Sequence, residues 1–259
     1  MINFSPLEYV PLWALFLLTI VIVLAASEGG IYLGRRRALA KGEKQSSIGS
    51  VVGATLGLLA FMLAFTFGVA TNRFDSRRML FQEEVNAIGT TYLRTELLSE
   101  TQGEKSRQLL RRYVDVRLDI PNSPEEINAA IKESETIQTE LWSEAMLAAH
   151  QTPNSPMIAL YVASLNDVID LHSNRVTAAI RARIPGTIWL ALYSVSVFSM
   201  ASVGFYVGVS GGTRSIATMG MIFSFVVIMM LIIDLDRPRE GLLRVNEAAM
   251  HDLQDSINR

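Results

Sequence analysis

The sequence predicts an all-α membrane protein in which two transmembrane helical hairpins flank a soluble helical domain. Three observations support this prediction: four long apolar stretches, charged residues gathered outside those stretches, and apolar residues at helical spacing in the polar segment between the hairpins. Hydrophobic residues make up 50% of the 259-residue chain and charged residues 19%, so the charge must be concentrated outside the apolar stretches.

The first hairpin is predicted over residues 1–71. Its spans, at about 12–33 and 48–71, each reach the roughly 20 apolar residues that cross a ~30 Å hydrocarbon core, and a basic loop at 34–47 joins them. No lysine or arginine precedes the first span, and that span is longer than the core of a signal peptide. We therefore expect it to be retained as a membrane helix.

The soluble domain is predicted over residues 72–185. Its first helix continues out of the second span, because apolar residues recur there at steps of seven, four, three and four. These residues are Phe74, Phe81, Val85, Ile88 and Tyr92. Two further helices are predicted to begin after Ser123 and Ser155, since each serine precedes a proline that suits the first helical turn. The last helix carries an apolar stripe that includes His172, which we expect to be a hydrogen-bonded core residue rather than a ligand.

The second hairpin is predicted over residues 186–235, with spans at about 186–208 and 215–235. The loop between these spans is very short, so we expect them to be antiparallel neighbours. Residues 236–259 are expected to form a C-terminal tail. An even number of spans places the two termini on the same side of the membrane.

The second span carries the main candidate for a functional surface. Phe61 and Phe65 stand four residues apart and so share one face of the helix. Small residues recur along the same span: Gly53, Gly57, Ala60, Ala64 and Gly68. In one interpretation the helix lines a pore, its small residues pack on adjacent helices, and the two rings form an apolar constriction. In the other, this is ordinary helix packing with two phenylalanines facing lipid.

Three acidic residues near the ends of the spans are candidates of a second kind. Glu28 lies in the first span, where a buried charge requires a partner. It is either functional or an interfacial residue that pairs with Arg35 and its neighbours. Asp234 and Asp236 close the fourth span. They form an ion-attracting or subunit-pairing ring, or they simply end the helix in water.

Polar residues at the junction between the second span and the soluble domain form a third group. They are Arg73, Asp75, Arg77, Arg78, Glu83, Glu84 and Asn86. Such residues can line the vestibule of a channel. The alternative is the solvated face of a helix in a bundle.

Several classes of function are excluded or disfavoured. The chain has no cysteine, which excludes disulfides and thiolate chemistry. Its net charge of −2 does not provide the strong positive electrostatic field that attracts nucleic acid. His150 and His251 have no metal-type spacing to His172 or to each other. No nucleophile elbow, zinc-protease, P-loop or dinucleotide-binding motif occurs. We therefore expect no enzymatic activity, no metal and no cofactor.

The chain resembles the bestrophin-like family of bacterial membrane proteins, also designated DUF4239. The segments that carry the resemblance are RFDSRR at 73–78, EVNAIGTTYLR at 84–94 and DLDRP at 234–238, and the likeness extends over nearly the whole chain. Bestrophins are pentameric ion channels with four spans, a helical cytoplasmic domain between spans two and three, and a neck of apolar residues spaced four apart on the second span.

The resemblance implies positions for that neck in this sequence. They are Phe61 and Phe65, with Gly57 one turn earlier. This chain has a shorter soluble segment and no recognisable acidic calcium-clasp loop, so the resemblance carries over neither ion selectivity nor calcium gating.

The leading hypothesis is a homo-oligomeric ion channel, a pentamer by resemblance, in the lipid bilayer of a bacterial inner membrane, which conducts inorganic ions. The alternative is a non-conducting scaffold or sensor whose helical domain binds a partner. Basic residues near the membrane number six on the side of the 34–47 loop and nine on the other side, so charge alone does not orient the chain. The resemblance favours a cytoplasmic helical domain.

Overall fold

The computed structural model describes residues 10–38, 45–119, 123–178, 183–212, 215–237 and 241–259. Eight α-helices and one 3-10 turn, Thr95–Leu97, lie in these ranges, and no strand does. The helices are α1 Leu12–Ala38, α2 Gln45–Arg94, α3 Glu100–Leu118, α4 Pro124–Gln151, α5 Pro156–Val176, α6 Gly186–Val209, α7 Ile216–Asp236 and α8 Ala248–Ile257. Four of them, α1, α2, α6 and α7, are long and apolar enough to cross a membrane. The predicted all-α fold is confirmed.

The chain divides into two compact units. A helical unit contains residues 74–182 and 244–259, and a membrane unit contains residues 5–73 and 183–243. Helix α2 contributes to both, because it runs without a break from Gln45 to Arg94. This agrees with the prediction that the second span continues as a helix beyond its apolar part.

The helical unit has one core formed by α3, α4, α5, α8 and the later part of α2. Its buried apolar residues include Phe81, Val85 and Ile88 of the stripe predicted on α2. The largest fully buried side chains of this core are Ile88, Leu110, Tyr113, Ile137, Leu141, Tyr161, Leu165 and Met250. Two predicted helix starts are confirmed. The Ser123 hydroxyl accepts a hydrogen bond from the backbone N–H of Glu126 at 3.2 Å, and the Ser155 hydroxyl accepts one from Ile158 at 3.4 Å.

Two features of the helical unit differ from the sequence prediction. The helix that leaves the second span ends at Arg94, and α3 begins after Ser99, whose hydroxyl accepts the N–H of Gln102. Residues 248–257, expected to lie in a tail, form α8, which buries Met250 and Ile257 in the core. The backbone carbonyl of Ile257 accepts hydrogen bonds from Tyr92 at 3.0 Å and Arg111 at 2.8 Å, so α8 is fastened at its carboxyl end.

In the membrane unit, α1 and α6 run in the same direction and touch through their backbones. Along this pair, Thr19 contacts Tyr193 at one level, and Ser27 contacts Gly204 further along both helices. Helix α2 runs antiparallel to α6, since the Ser199 hydroxyl bonds the carbonyl of Thr55 while Tyr206 packs on Gly49. These directions fit four successive passes of the chain.

The close approach of α1 and α6 depends on four glycines. A Cβ at Gly204 would lie 2.0 Å from the carbonyl oxygen of Ser27, and one at Gly30 would lie 2.1 Å from that of Ala201. One turn further on, Gly34 and Gly208 face the partner helix in the same way. Small residues four apart on both helices let transmembrane backbones meet. The sequence prediction placed close packing on the second span and overlooked this pair.

Candidate functional site

The membrane part of α2 has one face packed in its own chain and one face open. Its buried residues recur at steps of four, three and four and are Leu59, Leu63, Thr66 and Ala70. The opposite face carries Phe61 and Phe65, whose side chains are 65% and 58% exposed. Within the described part of the chain, no atom lies within 4 Å of a Cβ built at Gly53, Gly57 or Gly68.

This open face coincides with the predicted functional surface. Ala60 and Ala64 are exposed beside the two phenylalanines, so small and bulky apolar residues share one stripe. A stripe of this kind offers room for close helix contact next to projecting aromatic rings. Its predicted role in pore formation stays a prediction.

The two aspartates at the end of α7 are buried and hold backbone groups. The Asp234 carboxylate accepts the N–H groups of Leu242 and Leu243 at 2.9 and 3.1 Å. The Asp236 carboxylate accepts the N–H of Ile184 at 3.1 Å. Both aspartates are less than 8% exposed. This burial corrects the interpretation of a helix end in water, and the ion-attracting or subunit-pairing ring stays a prediction.

Arginines complete this arrangement in the membrane unit. Arg183 donates to the backbone carbonyl of Asp236 at 2.7 Å, and Arg237 donates to that of Val10 at 2.8 Å. The guanidinium of Arg73 lies 3.9 Å from the Asp236 carboxylate. Residues 234–237 therefore tie together the start of α1, the residues before α6 and the end of α7.

A second polar cluster lies in the core of the helical unit around Glu84, which is 0% exposed. Arg117 of α3 and Arg175 of α5 both form ion pairs with its carboxylate. The Tyr113 hydroxyl donates to the same carboxylate at 2.9 Å. The guanidinium of Arg175 also lies 4.8 Å from the centre of the Phe81 ring. One carboxylate thus connects three helices.

Hydrogen-bond counting fixes the tautomer of His172. The Glu84 carboxylate only accepts hydrogen bonds. The Tyr113 hydroxyl therefore donates its one proton to Glu84 and must accept hydrogen bonds from its other neighbours. Those neighbours are His172 Nδ1 at 3.1 Å and Gln138 Nε2 at 3.3 Å. His172 therefore carries its proton on Nδ1. The expectation of a hydrogen-bonded core histidine is confirmed.

Burial keeps both rings of this cluster uncharged. Burial, with the positive charge of Arg117 nearby, lowers the pKa of His172 to about 4, so the imidazole is neutral at pH 7. Burial and the negative charge of Glu84 raise the pKa of Tyr113 above its ordinary value. The charges that remain in the cluster are those of the carboxylate and the two guanidinium groups.

The remaining candidate residues differ in how far their side chains are exposed to solvent. Glu84 was predicted to line a vestibule, but its burial in a packed core withdraws it from solvent, and Arg77 is also buried. The exposed candidates are Glu28, Asp75, Arg78, Glu83 and Asn86. No group of three or more metal-ligating side chains occurs among the residues that the structure describes.

The sequence interpretation missed the partners of Glu84. Arg117 follows Tyr113 by four residues and so lies on the buried face of α3, and a basic residue on an apolar stripe is a signal for a buried ion pair. Gln138 is buried beside Ile137 and Leu141 on α4. Arg117 and Gln138 can each be recognised in the sequence as polar residues on an apolar stripe. Their place in the cluster around Glu84 depends on how three helices pack.

Comparison with known proteins places this fold among solved structures. The sequence profile of the bestrophin-like domain matches residues 20–250. No curated protein gives a match. Two point mutants of a bacterial bestrophin homolog from Klebsiella pneumoniae superimpose with TM-scores of 0.64 and 0.67 at 15% and 14% identity. The first alignment covers 94% of this chain and 96% of that chain, the second 93% and 96%.

A third structure, described as a point mutant of a membrane protein, gives a TM-score of 0.63 at 14% identity and covers 93% of this chain and 95% of that chain. At such identities the likeness shows a shared fold. Because nearly the full length aligns in both directions, the fold is shared as a whole, and the comparison is not limited to one pair of helices.

Proposed function

Because the chain belongs to the bestrophin-like family, we propose that it is the subunit of a homo-oligomeric ion channel in which α2 lines the pore. The observation that carries the proposal is the open stripe of α2, where Phe61 and Phe65 project beside small residues. A membrane helix that packs within its own chain on one side, and has room for close neighbours on the other, can pack with its copies around a common axis.

The proposal extends to the assembly and its setting. Five copies, by resemblance to bestrophins, surround the axis in the bilayer of a bacterial inner membrane, and inorganic ions pass between them. Phe61 and Phe65 form an apolar constriction, where an ion must shed water to pass. The exposed junction residues Asp75, Arg78, Glu83 and Asn86 line the entrance; Glu84 is left out of this role because it is buried.

Flux through reconstituted protein tests the constriction. Replacing both phenylalanines with alanine removes bulk without adding charge, so ion flux into liposomes should rise while the size of the oligomer stays the same. A fall of only about 1.4 kcal/mol in the barrier gives a tenfold rise in rate. Particle symmetry of the same preparations measures the number of subunits.

The matched control is Phe223→Ala, which removes a ring that is 57% exposed on α7 and should leave flux unchanged. If wild type and the Phe61→Ala, Phe65→Ala and double variants all assemble but conduct no cation or anion, the channel proposal is wrong. A non-conducting scaffold or sensor then becomes the better account of this chain.

We also propose that the helical unit is cytoplasmic, which cysteine labelling can check because the chain has no cysteine of its own. Glu140 is exposed on α4, and Ser210 is exposed at the far end of α6. In cells with a permeable outer membrane, an impermeant thiol reagent should label Ser210→Cys and leave Glu140→Cys unlabelled until lysis. The reverse pattern would place the helical unit outside.

A further inference from the structure

A cavity of about 460 Å³ lies in the membrane unit between α1, α2 and α6. Its rim is formed by Leu33, Val51 and Phe198, one from each helix, and all three side chains are exposed. Gly30 and Ala201 line it where the backbones of α1 and α6 touch. The volume falls within the range of small-molecule sites in proteins.

The apolar lining of this cavity favours a hydrocarbon ligand over a polar one. Ser202 is the one lining residue with a polar side chain among the described residues, and its hydroxyl already donates to the carbonyl of Phe198 at 2.8 Å. None of the described residues that line the cavity carries a charged side chain. A polar ligand would therefore lose water without gaining partners. An alkyl chain would exchange one apolar environment for another and fill the space between the helices.

A basic cluster follows the cavity-lining part of α1 in the chain. Arg35, Arg36 and Arg37 are exposed in the last turn of α1, about 3 to 6 Å further along the helix axis than Leu33 at 1.5 Å per residue. The guanidinium of Arg36 sits 4.5 Å from the centre of the Tyr32 ring. Guanidinium groups bind phosphate oxygens in pairs, and basic clusters beside a membrane helix attract anionic headgroups.

We propose that the cavity binds one acyl chain of an anionic phospholipid whose headgroup is attracted by the basic cluster of Arg35, Arg36 and Arg37. An apolar cavity with an exposed rim, followed along α1 by three basic groups, matches the two chemical parts of such a lipid. The inference needs only that the four helices span a bilayer, so it stands apart from ion conduction.

Photolabelling tests the proposal directly. The full chain is reconstituted in phosphatidylcholine that contains a phosphatidylglycerol probe with a diazirine in one acyl chain, and the labelled residues are mapped by mass spectrometry. Labels should fall on residues that line the cavity. Ser202→Trp fills the cavity and should reduce this labelling by about tenfold, which corresponds to about 1.4 kcal/mol of binding free energy.

Ser194→Trp is the matched control, because Ser194 lies two turns earlier on α6 and bonds the carbonyl of Leu190 in the same way at 2.7 Å. It should leave labelling unchanged. Val51→Trp, at the exposed rim, is a second occluding variant in case Ser202→Trp fails to fold. It should lower labelling as well.

The headgroup is tested by replacing all three arginines with glutamine and by a phosphatidylcholine probe with the same labelled chain. The triple variant should lower labelling by the anionic probe to the level of the zwitterionic probe, a fall of up to about a hundredfold at roughly fivefold per basic residue. Equal labelling by both probes in wild type would overturn the anionic preference. Absent labelling of the cavity, with oligomer size changed by Ser202→Trp, would assign the cavity to a second subunit.

Discussion

Replacing Gly204 with alanine should cost the membrane unit at least about 3 kcal/mol of unfolding free energy, the upper part of the range for overpacked interiors. The new Cβ would lie 2.0 Å from the carbonyl oxygen of Ser27 and 3.0 Å from the backbone nitrogen of Ile31. Backbone atoms in a helix cannot rotate away as the end of a side chain can. Helices α1 and α6 must therefore separate, which also removes dispersion contacts along the pair.

The measurement is thermal unfolding of the purified protein in detergent. Loss of helix is monitored by circular dichroism, and the size of the oligomer is checked at each temperature. Gly29→Ala is the matched control, since Gly29 is in α1 beside Gly30 and, among the described residues, only the nearby backbone of α1 itself lies within 4 Å of a Cβ built there. It should be neutral or slightly stabilising because alanine favours helix more than glycine. Equal stability of the Gly204→Ala and Gly29→Ala variants would show that the two backbones do not touch.

Replacing Glu84 with glutamine should destabilise the helical unit by about 3 to 5 kcal/mol, as expected when one partner of a buried ion pair is removed. The change keeps the size of the side chain but leaves Arg117 and Arg175 without their counter-charge in a packed core. The Tyr113 hydroxyl also exchanges a charged acceptor for a weaker neutral one.

Glu83→Gln provides the comparison, because Glu83 is the preceding residue on α2 and is exposed. It should change stability by less than about 0.5 kcal/mol. Chemical denaturation of both variants, monitored by protease resistance of the helical unit, separates them. If Glu84→Gln unfolds at the same denaturant concentration as wild type, the carboxylate contributes no net stability, and the network has another role.

Local signals predicted much of this fold, and the misses come from contacts between distant segments. Ser123 and Ser155 are recognisable as caps because each serine and the N–H group that it accepts lie within four residues. The Gly204 contact is different, since its partner is Ser27, far away in the chain. Small residues four apart occur in several spans of this sequence, and only the docked helices show which pair meets.

For the same reason, the sequence indicated some features of the candidate site and missed others. The stripe with Phe61 and Phe65 follows from helical spacing alone, and both residues are exposed where the spacing puts them. Glu84 has acidic and polar neighbours in sequence and so resembles a solvated position. Its burial depends on Arg117 and Arg175, which arrive from two other helices. A charge is recognised as buried only when its counter-charges are known.

The docking of α8 has a consequence for biogenesis. The hydrogen bond from Tyr92 to the carbonyl of Ile257 joins residues on either side of the second hairpin in the chain order. Helix α8 follows all four spans in the chain, so the rest of the helical unit is made first and waits with the sites for Met250 and Ile257 unfilled. During that interval its apolar core is open to chaperones and to neighbouring nascent chains, and the core closes only after the chain through α8 has been made.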